Sequence, residues 1–262
     1  MAKDEKDVNI DQWDETMLGK VEIALSVDRF AKYVDACGGD REAAFRLYGW
    51  NIAISGAFYG PLQTIEVTLR NALHGALSAQ YGLTWYDSAE SGLDAHARRK
   101  ISQSKRSLLE GGHVVDPPHM VANLSFGFWV SLLGPGGRLR SERDSLAQRS
   151  WISLLGLCGQ RLAVTPKANY EMTLWRPALR HAFPNAPSPN RKKIHRPFEY
   201  MRLLRNRIAH HEPIYARRLD KDYESILNVL NWMSPEARIW VEASSRIPCL
   251  LAQFGGLKHV KF

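Results

Sequence analysis

The chain has 262 residues, 45% of them hydrophobic and 24% charged, a globular composition that excludes an intrinsically disordered protein. Lys and Arg number 35 against 27 Asp and Glu, and the formal net charge of +8 favours a polyanionic partner such as nucleic acid. Cys37, Cys158 and Cys249 are scattered and lack metal-ligand spacing, which argues against a disulfide framework or zinc site and for a reducing compartment.

The first residues, MAKDEKDVNIDQWDETM, are charged and mostly acidic, with no apolar centre of the kind a secretory signal needs. Residues 1–22 read as a flexible extension, and 23–262 as a single all-α domain. Helix signals then follow in order. SVDRFAKYVDACGG places Phe30, Tyr33, Val34 and Cys37 on one face, with Ser26 as the cap and Gly38-Gly39 as the stop. DREAAFRLYGWNIAISGAF, capped by Asp40, reads as one helix. GPLQTIEVTLRNALHGALSAQYG reads as the next, starting at Pro61, with Leu62, Ile65, Leu69, Leu73, Ala76 and Leu77 at helical spacing. DAHARRKISQSKRSLLEGG predicts a basic, exposed helix, and VANLSFGFWVSLL a core helix apolar nearly all round. GPGGRLRSERD is the clearest loop. SLAQRSWISLLGLCG, ANYEMTLWRPALRHAF and RKKIHRPFEYMRLLRNRIAHH continue the helical pattern, with PNAPSPN a linker between the last two. DKDYESILNVLNWM and PEARIWVEASS, the latter capped by Ser234, complete it. Two uncharged stretches, Leu47 to Ile65 and Met120 to Gly137, are interrupted by polar residues, Pro or Gly and read as buried helices, so the expectation is a cytoplasmic protein with no membrane association.

The chemistry concentrates in LRNRIAHHEPIY, Leu204 to Tyr215. Phe198, Met201, Leu204 and Ile208 form an apolar stripe that anchors this helix in a core. Asn206 and His210, four residues apart, are offset by only ~40° and share a face; Arg205 and His210, five apart, are offset by ~140° on an ideal helix. Convergence of the Arg and the His on one phosphate therefore requires a curled Arg side chain, a distorted last turn, or a second chain. The plain alternative is helix-end electrostatics, because cations are favoured where the last carbonyls lack partners.

RNRIAHH resembles the signature of the HEPN superfamily, and LRNRIAHHEPIY is similar to its form in Abi-like abortive-infection proteins, the Abi_2 or AbiD/AbiF-like group. IEVTLRNALH, the QYG that follows it, and LSFGFWVSLL resemble further segments of that group, over roughly residues 40–240. The resemblance implies a HEPN-like helical bundle with additional helices, a homodimer, and a metal-independent endoribonuclease that needs no cofactor. Arg205, Asn206 and His210 match the motif. RNA carries its own nucleophile, the 2′-OH, so attack gives a 2′,3′-cyclic phosphate and a 5′-OH. Histidine, which ordinarily titrates near ~6.5, suits general acid–base work, and a guanidinium fork suits a phosphate. One His cannot readily serve as both base and acid, and a two-fold axis supplies the second.

Supporting roles fall to Glu66, Arg70 and His211. Glu66 and Arg70 have the spacing of a helical ion pair, and His211 reads first as a packing or helix-end residue. Arg191, Lys192, Lys193, Arg207, Arg217 and Arg218 are the candidate RNA contacts, though such basic runs also form solvated helix faces. The expected function is an antiphage abortive-infection effector that cuts RNA. The alternatives are a non-catalytic RNA-binding protein that forms a ribonucleoprotein with a structured small RNA, and a toxin acting on tRNA under a partner protein's control.

Overall fold

The computed structural model describes residues 14–138, 167–188 and 190–254. The fold is all-α. Among the described residues there is no strand, only an isolated bridge between Arg138 and Lys167. The expected helix SLAQRSWISLLGLCG and most of the GPGGRLRSERD loop lie outside the described residues. The helices are α1 Glu15–Leu25, α2 Val27–Ala36, α3 Arg41–Tyr81, α4 Ala95–Glu110, α5 Pro117–Asn123, α6 Phe126–Leu132, α7 Arg191–Ala209, α8 Leu219–Met233, α9 Pro235–Ser244 and α10 Ile247–Gln253. The chain divides into two compact units, and α3, α7, α8 and α9 each contribute residues to both.

The first unit comprises Met1–Leu62, Leu204–Glu224 and Val241–Phe262. Part of the expected flexible extension is ordered here as α1, because Asp14 caps Met17 N–H at 2.7 Å and Arg41 pairs with Glu15 and Glu22. Phe30 packs against Phe45 with ring centroids 4.3 Å apart, and Tyr33 meets Tyr48 edge-on at 4.9 Å. Trp50 is buried, and its indole N–H donates to the Leu250 carbonyl at 2.9 Å. Both Asp40 and Ser26 occupy the expected cap positions, but only Asp40 bonds through its side chain, to Ala43 N–H at 2.9 Å.

The second unit comprises Gln63–Leu203 and Ser225–Trp240. Ile65, Leu69, Leu73 and Leu77 are fully buried along α3, as their spacing predicts. Trp129 is also fully buried and donates to the Leu124 carbonyl at 3.1 Å. From α8, Ile226, Val229 and Leu230 complete this core. Each such side chain contributes roughly 1.5–3 kcal/mol by leaving water.

Three expected elements differ. The two helices expected on either side of Pro61 are one helix of 41 residues with Pro61 inside it. Proline normally interrupts because it lacks an N–H and crowds the carbonyl four residues back. Here Phe58, Leu62 and Ile65 are buried on both sides of it, and their burial outweighs the single lost backbone bond. VANLSFGFWVSLL is two short helices, because Leu124 is extended and Ser125 caps a new start by accepting from Phe128 N–H. ANYEMTLWRPALRHAF forms a wide turn over Glu171–Trp175 and a 3-10 turn over Leu179–Ala182, on either side of Pro177.

Candidate functional site

The motif helix α7 buries Ile194, Phe198, Met201, Leu204 and Ile208. That stripe turns Arg205 and His210 outward, where both are exposed, and leaves Asn206 half-buried. The helix then ends in a specific geometry. His211 adopts a left-handed backbone with φ 56°. Its N–H returns to the Ile208 carbonyl at 3.0 Å, and Glu212 N–H reaches the Arg207 carbonyl at 2.8 Å. This is a Schellman closure with His211 at the position that glycine usually holds. The geometry makes His211 the terminator of the motif helix.

The chain after the closure is tied down from four directions. Arg29 donates to the His211 carbonyl at 3.1 Å, and Arg207 reaches back to the Pro213 carbonyl at 3.0 Å. Arg207 also sits 3.5 Å from the Glu212 carboxylate. Asn51, only 6% exposed, accepts Ile214 N–H at 2.8 Å. Tyr215 donates its hydroxyl to the Lys32 carbonyl at 3.1 Å while its ring packs on Tyr33. Burial pushes the Tyr33 and Tyr215 hydroxyls above the usual phenol range, so both stay neutral. An exposed Arg and His thus project from a helix end whose following backbone is held by the buried Asn51, the half-buried Tyr215 and the exposed Arg29 and Arg207.

The remaining sequence-derived candidates separate by environment. Arg217 forms a two-pronged pair with Asp222, both contacts at 2.9 Å, and Arg218 pairs with Asp220 at 3.0 Å. Both pairs brace the start of α8, and their carboxylates offset much of the positive charge that an RNA groove requires there. In the second unit, Arg191 is 9% exposed and bonded to the Leu133 carbonyl at 2.9 Å and to Glu171 at 3.0 Å. It therefore works inside that unit, whereas Lys192 and Lys193 are exposed. Glu66 and Arg70 are half-buried one turn apart on α3, and the Arg70 Nε is buried without a hydrogen-bond partner among the described residues. In the same region His74 accepts from the Trp85 indole N–H at 3.0 Å, and burial lowers its pKa.

Arg29 and Asn51 lie far from the motif in the chain and carry no local sequence signal of their role in holding it. Among the described residues no cluster of His, Cys, Asp and Glu has the arrangement of a metal site, and no helix is long and apolar enough to cross a membrane. No protein-family model matches the chain, and no curated protein or solved structure matches it either.

Proposed function

We propose that this protein is an Abi-like endoribonuclease of the HEPN type that acts as an antiphage effector, with Arg205, Asn206 and His210 as its catalytic set. The observation that carries the reading is the pairing of exposure with restraint at the end of α7. Arg205 and His210 are solvent-accessible, while Asn51, Arg29 and Arg207 hold the backbone just beyond them. Reactive groups need access to a substrate and a framework that fixes their positions. An end built only for helix stability needs the closure at His211 but not this set of exposed donors.

In this reading Arg205 holds the scissile phosphate, His210 moves the proton of the 2′-OH or of the leaving 5′-oxygen, and Asn206 orients one of them. A second copy of the chain supplies the other proton-transfer group, which makes a two-fold dimer the active form. The motif offers no carboxylate cluster for Mg²⁺, so cleavage is expected to persist in EDTA.

The test is turnover of total tRNA and structured RNAs by the purified protein. His210→Ala is expected to lower the rate by about 10²–10⁴-fold with an unchanged circular dichroism spectrum. RNA with a 2′-deoxy group at the cut is expected to bind and survive. Cleavage of that deoxy substrate, or wild-type turnover by His210→Ala, refutes the assignment. Saturable RNA retention with no cleavage of any RNA shifts the reading to the ribonucleoprotein scaffold.

A further inference from the structure

The second unit contains a cleft of about 500 Å³ on which α4, α6, α7 and the Gly134–Gly136 turn converge. Its volume falls within the ~300–1,000 Å³ range of small-molecule sites. Its walls mix apolar and polar groups, and most of the polar groups are already committed. The Asp94 carboxylate accepts Ala97 N–H at 2.8 Å and Gly137 N–H at 2.6 Å. Glu199 is held by Arg202 through two contacts of 2.9 and 2.6 Å. Ser125 caps α6, and Ser131 donates to the Phe128 carbonyl at 2.6 Å.

What remains uncommitted has one chemical character. His96 and Lys100, one turn apart on α4, and His195 on α7 all line the cleft. None of the three makes a hydrogen bond or ion pair with any described residue. His195 lies over the glycine turn, its Nε2 3.7 Å from where a Cβ on Gly134 would stand. The Arg202 stem lies likewise 3.7 Å from the corresponding point on Gly127. A Cβ at either position would stand in ordinary contact with that His or Arg, and at Gly134 it would also crowd the Ser131 carbonyl at 3.0 Å. Each carboxylate oxygen already accepts one donor, Asp94 from two backbone N–H groups and Glu199 from Arg202, so the donors still free to meet a ligand here are the side chains of His96, Lys100 and His195.

We propose that this cleft binds a phosphomonoester carried by a molecule of about nucleotide size, with Lys100, His96 and His195 as its phosphate ligands. A bare phosphate would fill only a small part of the volume, so the ligand carries an organic body as well. A free mononucleotide and the phosphorylated terminus of an RNA share this chemistry. All the lining residues lie between Gln63 and Leu203, so the site is complete within one unit.

The experiment is isothermal titration of the full-length protein with AMP, adenosine, and a trinucleotide with or without a 5′-phosphate, together with NMR of the histidine ring nitrogens. AMP or the phosphorylated trinucleotide is expected to bind saturably and to shift the His195 ring signals. Removing the phosphate is expected to weaken binding at least tenfold, roughly the loss of one charge-assisted contact. AMP binding with exclusion of the trinucleotide identifies a free nucleotide as the ligand; the reverse identifies an RNA end. Lys100→Gln and His96→Gln, both at exposed positions, are expected to fold normally and weaken binding about tenfold each. Three results overturn the proposal: no binding of either phosphorylated ligand at about 10 mM, equal affinity for adenosine and AMP, or full affinity in both variants.

Discussion

Replacing Asn51 with Ala isolates the contact that fixes the chain beyond the motif helix. The Asn51 Oδ1 accepts Ile214 N–H at 2.8 Å, and the two residues are 6% and 0% exposed. Alanine leaves that N–H buried with no acceptor, and water cannot readily replace the lost partner. An orphaned buried donor costs about 1–3 kcal/mol, so the local equilibrium between closed and open loop shifts roughly 5- to 150-fold. The closure at His211 and the Arg29 and Arg207 contacts remain, so the loop is expected to open locally without global unfolding. Amide hydrogen exchange at Ile214 reads this directly and should accelerate by that factor, while amides of the buried α3 residues Ile54 and Phe58 stay protected. If the reading of α7 as a catalytic helix holds, RNA turnover falls as well, with the loss in kcat rather than KM because positioning is disturbed and not substrate contact. Unchanged exchange at Ile214 would show that the hydrogen bond contributes nothing to holding the loop and would refute restraint of the chain by Asn51.

Arg191→Met removes the guanidinium from both Leu133 and Glu171 and should cost about 2–4 kcal/mol, whereas Lys192→Ala and Lys193→Ala should stay within about 0.5 kcal/mol; thermal melts separate them. His211→Gly removes a side chain from a left-handed position and should stabilise the fold by about 0.5–1 kcal/mol, measured by urea unfolding; destabilisation would mean that the imidazole contributes contacts of its own. Burial lowers the pKa of His74, and burial together with Arg191 and Arg202 lowers that of His195 against the opposing pull of Glu199. Both rings bind fewer protons folded than unfolded, so their contribution is complete above the ordinary value of 6.5 and is lost as pH falls through the depressed values. The urea midpoint should therefore drop as pH is lowered from about 8 to 5. His74→Gln, which keeps an acceptor for Trp85, should flatten part of that drop, and an equal slope in this variant would remove His74 from the explanation.

The helical class, the apolar stripes and most of the caps were legible from local sequence, because these depend on residues within one or two turns of each other. The stripe Phe198, Met201, Leu204 and Ile208 is buried as its spacing requires, and Asp40, Asp94 and Ser234 bond as caps. The same periodicity that anchors α7 also determines that Arg205 and His210 face outward. Features that depend on the balance between local preference and distant contacts emerge only from packing. Pro61 locally favours a break, yet burial on both sides carries α3 through it. Ser125 sits inside an apolar run with no strong local stop, yet its side chain captures a backbone N–H and starts a new helix. Arg191 reads as part of an exposed basic run, but its partners Leu133 and Glu171 lie 58 and 20 residues away in the chain. The clamp of Asn51 on Ile214 spans 163 residues, and the cleft gathers polar faces from three helices. Periodicity shows which side of a helix turns inward. Which distant group meets that side is a property of packing, because a hydrogen bond depends on separation in space and not on distance along the chain.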